Sequence, residues 1–292
     1  MKLDVRHRTA YRYQSEAVFS QHLLRLTPEP VPGQQVIATQ LQITPEPDSM
    51  DRHKDMFGNW VHVATISRPH DGLEIVASSK IERQERADWI FEASVPWEKV
   101  RDMAIGINPA AQLTSISPFA FPSAMTAADN AIEDYAREII APGAPLLVGV
   151  HALCKRIHRD FKYRPVVTGA DTVPADSFAR LQGVCQDFAH VMLATLRVLR
   201  LPARSVSGSL RTIPPEGQAR LQGADASHAW VSVWEPTFGW IDFDPTNDMV
   251  PSVDHVSLAF GRDYRDVSPV SGVVIGAGAQ TLKVGVDVIA AD

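Results

Sequence analysis

The first part of the chain alternates between apolar and polar residues. Residues 3–13 follow this pattern, and shorter runs of the same kind occupy 36–43 and 60–66. A period of two is typical of strands with one buried face. Phe57-Gly58-Asn59 predicts a tight turn between two strands, and Gly72 predicts another. We therefore expect residues 1–87 to form an antiparallel β module, most simply a β-sandwich.

The middle of the chain changes to a helical period. Residues 88–145 are predicted to be a linker with short helices, the clearest of them over 127–140. Positions 147, 150, 154, 157 and 161 are then apolar at spacings of three and four, as one face of a buried helix requires. Positions 185, 188, 192, 196 and 199 repeat this spacing in a helix that begins near residue 184.

After residue 202 the period of two returns. Strands are predicted over 203–210, 227–234 and 240–244, followed by a turn-rich stretch and a final strand over 280–289. A helix that precedes antiparallel strands predicts an α+β fold. We therefore divide the chain into an N-terminal β module (1–87), a linker with helices (88–145) and a core with C-terminal strands (146–292).

Composition narrows the function classes. The chain has 292 residues, of which 45% are apolar and 21% charged, which is ordinary for a soluble globular protein. A net charge of −6 with no basic block argues against nucleic-acid binding. No segment approaches the roughly 20 apolar residues of a membrane span, and the N-terminus lacks the apolar stretch of a signal peptide. We expect a cytoplasmic protein that binds neither nucleic acid nor a membrane.

The sequence offers little for a metal or a disulfide. Its two cysteines, Cys154 and Cys185, exclude a disulfide framework and the zinc patterns that need four clustered ligands. The ten histidines show no metal-binding spacing and no His-Glu-x-x-His motif. We therefore expect no bound metal.

Cys185 is the strongest candidate nucleophile. It falls in the first turn of its predicted helix, two residues after Gly183. Helix N-termini carry free N–H groups and a partial positive charge, which favour a thiolate, the reactive form of cysteine. Gly183 lets the chain enter the helix closely and leaves backbone N–H groups free to face an oxyanion.

His228 and an aspartate on the next strand complete the candidate site. The strand from His228 turns near Pro236 and returns, so a hairpin would bring His228 nearly opposite Asp244. A bulge near Gly239 could set this register. Asp244 could then orient the imidazole while His228 takes the proton of the cysteine. Asp242 lies on the same strand face, so spacing alone leaves both carboxylates open.

Other residues near these motifs have simpler interpretations. Cys154 lies on an apolar helix face and is predicted to be a core residue. His190 lies about 140° around the helix from Cys185 and is predicted to be structural. Asp187 is predicted on the helix surface, with a supporting role in the site as the alternative. Gln182 could donate to an oxyanion, although it precedes Cys185 by only three residues.

Three blocks in this order resemble the motifs of the transglutaminase-like superfamily: Gly183-Val-Cys-Gln-Asp-Phe-Ala-His190, His228-Ala-Trp230 and Asp244-Pro-Thr-Asn247. The resemblance selects Asp244, in the Asp-Pro-Thr block, over Asp242. It implies a papain-like core in which the nucleophile helix packs on an antiparallel sheet. It also implies acyl transfer through a thioester at Cys185, without a cofactor.

The resemblance extends to both ends of the chain. His7-x-Thr9-x-Tyr11-x-Tyr13 and Phe57-Gly-Asn59 resemble the N-terminal β module of bacterial members, and Gly261-Arg-Asp-Tyr-x-Asp266 resembles their C-terminal block. That block is expected to form a structural turn, or else to line the cleft. Trp230 and Trp240 are expected in the core or cleft wall, with a substrate platform as the alternative. Bacterial members of this kind are usually described as cysteine proteases rather than cross-linking enzymes.

Three functions remain open at this point. The first is a thiol hydrolase acting on a peptide, isopeptide or other amide bond, with a peptide or protein as substrate. The second is a transglutaminase, in which a lysine amine replaces water in the second step. The third is a non-catalytic binding or assembly protein on the same core. The presence of Cys185, His228 and Asp244 together favours the two enzymes.

Overall fold

A computed structural model of the chain describes residues 1–85, 89–106, 115–165, 169, 171–212 and 226–291. It has an N-terminal antiparallel β module followed by an α+β core, as predicted. The boundary that we predict after residue 87 lies outside the described residues. In the ranges that the structure describes, no helix combines the length and the apolar character needed to cross a membrane.

The N-terminal module begins with six strands: β1 (Lys2–Ala17), β2 (Phe19–Leu24), β3 (Gln34–Thr44), β4 (Ser49–Lys54), β5 (Trp60–Ile66) and β6 (His70–Arg83). The predicted turn at residues 57–59 joins β4 to β5, and Gly58 adopts the positive φ of 86° that such a turn requires. The turn predicted at Gly72 is wrong, because Gly72 lies inside β6. Its missing side chain allows the close approach of Tyr11, whose carbonyl oxygen would lie 2.7 Å from a Cβ there.

The module is completed by the end of the chain. Strands β13 (Val270–Ile275) and β14 (Gln280–Ala291) join its two sheets, which have the orders β14-β1-β6-β3 and β13-β2-β5-β4. Apolar side chains from both sheets form one buried cluster, which includes Tyr13, Leu24, Ile43, Ile66 and Ile75. The two sheets therefore pack as a sandwich around a common core.

The described residues contain six α-helices: α1 (Trp97–Ala104), α2 (Asn130–Ile139), α3 (Leu146–Asp160), α4 (Pro174–Arg180), α5 (Cys185–Val198) and α6 (Tyr264–Val267). The Asp129 carboxylate caps α2 by accepting from the Ile132 N–H. The apolar face predicted on α3 is buried, and nearly every residue of α5 is buried. Helix α5 therefore lies at the centre of the main apolar core.

The core sheet packs against α5. It contains β9 (Ala203–Leu210), β10 (Ala226–Glu235), β11 (Gly239–Phe243) and β12 (His255–Gly261) in the order β11-β10-β9-β12, and a short parallel pair, β7 (Lys162–Tyr163) and β8 (Gln182–Gly183), lies apart from it. Strands β12 and β13 correct our expectation of a turn-rich stretch after residue 252. All seven residues of β12 are buried, so the strand lacks the polar alternation that would reveal it.

The hairpin of β10 and β11 has an unbroken register. Glu235 pairs with Gly239 and Val231 pairs with Phe243, so the predicted bulge near Gly239 is absent from this described hairpin. The turn is centred one residue later than expected. If the register continued, Asp244 would lie opposite Trp230, two positions from His228. A shift of two residues keeps side chains on the same face, so the prediction that His228 and Asp244 are neighbours survives the error.

Candidate active site

Cys185 is the first residue of α5, and the chain around it is held by Asp187. The Asp187 carboxylate accepts from the Val184 N–H (2.7 Å) and from the Ser177 hydroxyl (3.1 Å). A Cβ on Gly183 would lie 2.5 Å from that carboxylate, so only glycine fits there. Asp187 is 1% exposed. The expectation of a surface position for Asp187 is therefore wrong. Its carboxylate instead supports the turn before Cys185, which explains why residue 183 is a glycine.

His228 and Asp244 are in direct contact. Nε2 of His228 lies 2.7 Å from Oδ2 of Asp244, and both side chains are buried. An ionised carboxylate can only accept, so Nε2 carries the proton in this pair. The Cys185 thiol lines the same cleft as the imidazole and is close enough to raise its pKa. The structure thus brings together the three residues that the sequence singles out.

Two shifted pKa values follow from this contact. Burial lowers the pKa of His228, but the hydrogen bond with Asp244 and the nearby Cys185 thiol outweigh it and raise the pKa to about 10. Burial would raise the pKa of Asp244, yet hydrogen bonds from His228, His255 and Asn247 hold it well below its usual range. A charged imidazole beside a carboxylate is therefore the favoured state at neutral pH.

Asp244 is held by several further groups, one of which, His255, sequence reasoning missed. Its Oδ1 accepts from the backbone N–H groups of Thr246 (2.9 Å) and Asn247 (3.2 Å). Its Oδ2 accepts from the Asn247 side chain (2.7 Å) and faces Nε2 of His255 at 3.2 Å. Asn247 belongs to the Asp-Pro-Thr-Asn block and was visible as a motif. His255 lies in β12, a strand that could not be predicted because its buried residues do not alternate between apolar and polar.

Asp242, the alternative carboxylate, belongs to another environment. It pairs with Ser232 across the hairpin and lines a separate pocket with Arg204 and Trp240. Burial lowers the pKa of Arg204 to about 10, and the charge of Asp242 acts in the opposite direction. The contact with His228 is therefore made by Asp244.

A cleft of about 290 Å³ surrounds Cys185 and His228. Gln186 and Tyr264 line it on the core side, where Tyr264 belongs to the C-terminal block. The opposite wall comes from the N-terminal module, through β1 and β14. Gln182 is not among the described residues that line the cleft. A larger open concavity of about 890 Å³ on the outer face of the module contains none of the three candidate residues.

The C-terminal block both turns the chain and lines the cleft. Asp263 caps α6 through the Arg265 N–H, and the Tyr264 N–H donates to Nε2 of His190 (3.1 Å). Burial lowers the pKa of His190 to about 4, so it is a neutral acceptor at pH 7. His190 is therefore structural, as predicted, and it fixes the backbone of a cleft residue.

Both tryptophans lie away from the cleft opening. Trp230 is completely buried, and its ring packs edge-on against His255 at 5.3 Å between centroids. Trp240 contacts Phe119 at 5.3 Å and Arg204 at 4.2 Å. Neither is a substrate platform in this cleft. Trp230 instead packs against the rings of both histidines near Asp244, His228 and His255.

One group of side chains in the site has the composition of a metal site. Ligand atoms of His228, Asp244 and His255 lie within 4.8 Å of one another, so this group could hold an ion. The nitrogen–oxygen distances of 2.7 Å and 3.2 Å are those of hydrogen bonds, whereas ligands on one tetrahedral zinc stand about 3.4 Å apart.

Cys154 is completely buried, which raises the pKa of its thiol, so it is the predicted core residue.

Comparisons with known proteins agree with this architecture. Residues 3–82 match the family model of the bacterial transglutaminase-like N-terminal region, and residues 133–245 match that of the transglutaminase-like superfamily. The uncharacterized protein Rv2569c of Mycobacterium tuberculosis is 34% identical over 98% of this chain and 91% of its own length. A protein-glutamine gamma-glutamyltransferase of Pseudomonas aeruginosa is 38% identical over 35% of this chain and 16% of its own length.

The fold is also that of a solved structure. A protein from Cytophaga hutchinsonii, described as a putative cysteine protease, superposes with a TM-score of 0.76 at 21% identity, over all of this chain and 91% of its own. The matches cover the N-terminal module and the core in the same order as the motifs. The chain therefore belongs to the transglutaminase-like superfamily, with the bacterial N-terminal region preceding the core.

Proposed function

We propose that the protein is a cysteine-nucleophile acyl-transfer enzyme that hydrolyses an amide bond in a peptide or protein through a thioester. One observation carries this proposal: His228 contacts Asp244 at 2.7 Å and shares a solvent-open cleft with Cys185, whose thiol raises the pKa of the imidazole. This arrangement has the nucleophile, base and orienting group of a catalytic triad. Cys185 is the nucleophile, His228 the acid and base, and Asp244 the orienting carboxylate.

The reaction follows from these positions. The Cys185 thiolate attacks the carbonyl carbon, a C–S bond forms, and the carbonyl electrons move to oxygen. The N-terminus of α5 lies at the cleft beside Cys185, and its partial positive charge can stabilise that oxyanion. The oxyanion collapses, the C–N bond breaks, and the amine leaves with the proton of the His228 imidazolium. The acyl group then remains on sulfur as a thioester.

The second step regenerates the enzyme. His228 takes a proton from water while the water oxygen attacks the thioester carbon, and the C–S bond breaks to give a carboxylic acid and the thiolate. No cofactor enters this scheme. Hydrolysis is favoured because water reaches the cleft: Leu282 and Val284 in its wall are about half exposed, at 54% and 50%. Among the described lining residues there is no tryptophan to shield the thioester.

Amine transfer is the second candidate. The Pseudomonas relative, a protein-glutamine gamma-glutamyltransferase, matches over about a third of this chain and favours it. The first step is the same, and only the acceptor of the acyl group differs. A non-catalytic binding protein on this core remains the third alternative, and it predicts no enhanced reactivity of Cys185.

The two enzymes give different products in one experiment. β-Casein is incubated with the protein in water enriched in ¹⁸O, with dansylcadaverine present, and the products are identified by mass spectrometry. We expect ¹⁸O in new carboxyl groups, loss of these products in Cys185→Ala, and their retention in Cys154→Ala, because Cys154 lies in the core. If dansylcadaverine adducts outnumber ¹⁸O products, the protein is a transglutaminase. Products that persist in Cys185→Ala contradict both.

A further inference from the structure

The wall of the cleft opposite Cys185 is a two-stranded apolar surface. In the register of β1 with β14, Thr9 pairs with Val284 and Tyr11 pairs with Leu282. Paired residues of an antiparallel ladder point to the same face. All four line the cleft together with Cys185 and His228. The end of this sheet face that carries these four residues therefore lies across the cleft from Cys185.

The other end of the same face anchors the module. Further along β14, Val286 and Val288 are almost completely buried and pack with Val256 of the core sheet. Leu282 and Val284, by contrast, remain half exposed. This apolar face of β14 is thus continuous: it is buried against the core sheet at one end and is open to solvent at the cleft. Its position relative to Cys185 is fixed by the packing rather than by a flexible linker.

Charge is absent from the cleft side of the strands. Arg6, Arg8 and Arg12 alternate with the lining residues of β1 and so point to the opposite face, as Lys283 does on β14. Within the part of the chain that the structure describes, no Asp, Glu, Lys or Arg lines the cleft. His7 lines it too, and burial lowers the pKa of His7 to about 4, which leaves it neutral at pH 7.

We propose that the β1–β14 wall is the specificity surface of the enzyme and takes an uncharged apolar side chain next to the scissile carbonyl. The proposal rests on the function proposed above and adds the substrate class. A charged side chain would lose its hydration against Leu282 and Val284, whose side chains offer it no polar partner. An apolar one would remove both residues from water, which favours its binding.

Three vinyl sulfone probes test this specificity. They are dipeptides that differ only in the residue beside the electrophile: leucine, glutamate or lysine. Labelling of Cys185 is followed by intact mass, and each rate is divided by the iodoacetamide rate of the same variant, which cancels changes in the thiol itself. We expect the leucine probe to react at least about tenfold faster than the charged probes, since 1.4 kcal/mol corresponds to a factor of ten.

Variants of β14 locate the preference. Leu282→Glu and Val284→Glu should each reduce the normalised rate of the leucine probe by about tenfold. Ile289→Glu is the matched control, because Ile289 is on the same strand, is 49% exposed and lies on the opposite face. It should leave the rate within twofold of wild type. Thermal midpoints confirm that each variant is folded.

The outcomes separate this inference from the function on which it rests. Equal rates for the three probes overturn the inference, as does a loss in Ile289→Glu as large as that in Leu282→Glu. If the iodoacetamide reaction of Cys185 is the same in His228→Ala as in wild type, the proposed function fails and the inference fails with it. A reaction that depends on His228 but shows no side-chain preference overturns the inference alone.

Discussion

At the scale of the residue, the carboxylate of Asp244 contacts two histidines, His228 and His255, rather than His228 alone. Asp244 Oδ2 faces two imidazoles, His228 at 2.7 Å and His255 at 3.2 Å, and also accepts from Asn247. Because a carboxylate only accepts, both histidines present Nε2–H to the same oxygen. His255 is 1% exposed, and its Nδ1 has no hydrogen-bond partner. The His255 side chain therefore hydrogen-bonds with Asp244 alone among the described polar groups, and we expect it to influence His228 through this carboxylate.

This contact makes His255 a positioning residue with a testable effect. His255→Phe keeps a ring beside Trp230 but removes a hydrogen bond to a buried carboxylate, so we expect the alkylation of Cys185 at pH 6 to slow about fivefold. His255→Gln restores a donor and should recover most of the rate. The measurement is the pH profile of iodoacetamide alkylation for both variants. Equal profiles for Phe and Gln, or no change in either, would reduce His255 to a packing role.

The identity of the orienting aspartate shows what residue-level reasoning from sequence can do. Spacing placed Asp242 and Asp244 on one strand face and could not choose between them. The resemblance to a family selected Asp244, and the contact with His228 agrees with that choice. His255 could not be predicted, because its contact depends on the pairing of β12 with β9, two strands that are separated along the chain by the whole hairpin.

At the scale of the element, close packing around β9 sets the position of the two histidines. Gly208 pairs with His228 on one side and with Ser257 on the other. A Cβ there would lie 2.3 Å from the Trp230 ring and 2.2 Å from the Val256 carbonyl oxygen. The strand therefore needs glycine for space, since no positive φ is involved. Trp230 in turn supports His228 and His255.

Gly208→Ala should consequently be costly. The added methyl group cannot avoid both the ring and the backbone, so we expect a loss of about 1–3 kcal/mol in the free energy of unfolding, as for other overpacked cores. Urea unfolding measures it, with Gly169→Ala as the control, because nothing lies within 4 Å of a Cβ at Gly169. A Gly208→Ala protein as stable as the control would contradict the close packing described here.

Element boundaries near the site were predictable because several local signals agreed. The apolar spacing of α5 and the glycine before it placed the helix start near residue 184, and the helix begins at Cys185. Strand β9 spans residues 203–210, as predicted. The hairpin turn was placed one residue early, since the apolar pattern fixes which face a residue occupies but not its exact partner.

At the scale of the whole molecule, the two ends of the chain build one wall of the site. Strand β14 pairs with β1 from Lys2↔Ala291 to Tyr13↔Gln280. No local pattern predicts a pairing between segments so far apart, so the sequence could suggest a β module but not its completion by β13 and β14. The module is therefore part of the cleft as well as a sandwich with its own core.

The central claim is that His228 and Asp244 activate Cys185, and iodoacetamide alkylation against pH, followed by intact mass, tests it most directly. An ordinary thiol with a pKa near 8.5 is less than about 1% ionised at pH 6. We predict one fast alkylation at pH 6 that disappears in Cys185→Ala, while the buried Cys154 stays unmodified. His228→Ala and Asp244→Asn should slow it at least about tenfold, whereas Asp242→Asn should not. A Cys185 that reacts only as the pH approaches 8.5, at the same rate in wild type and His228→Ala, would contradict the account.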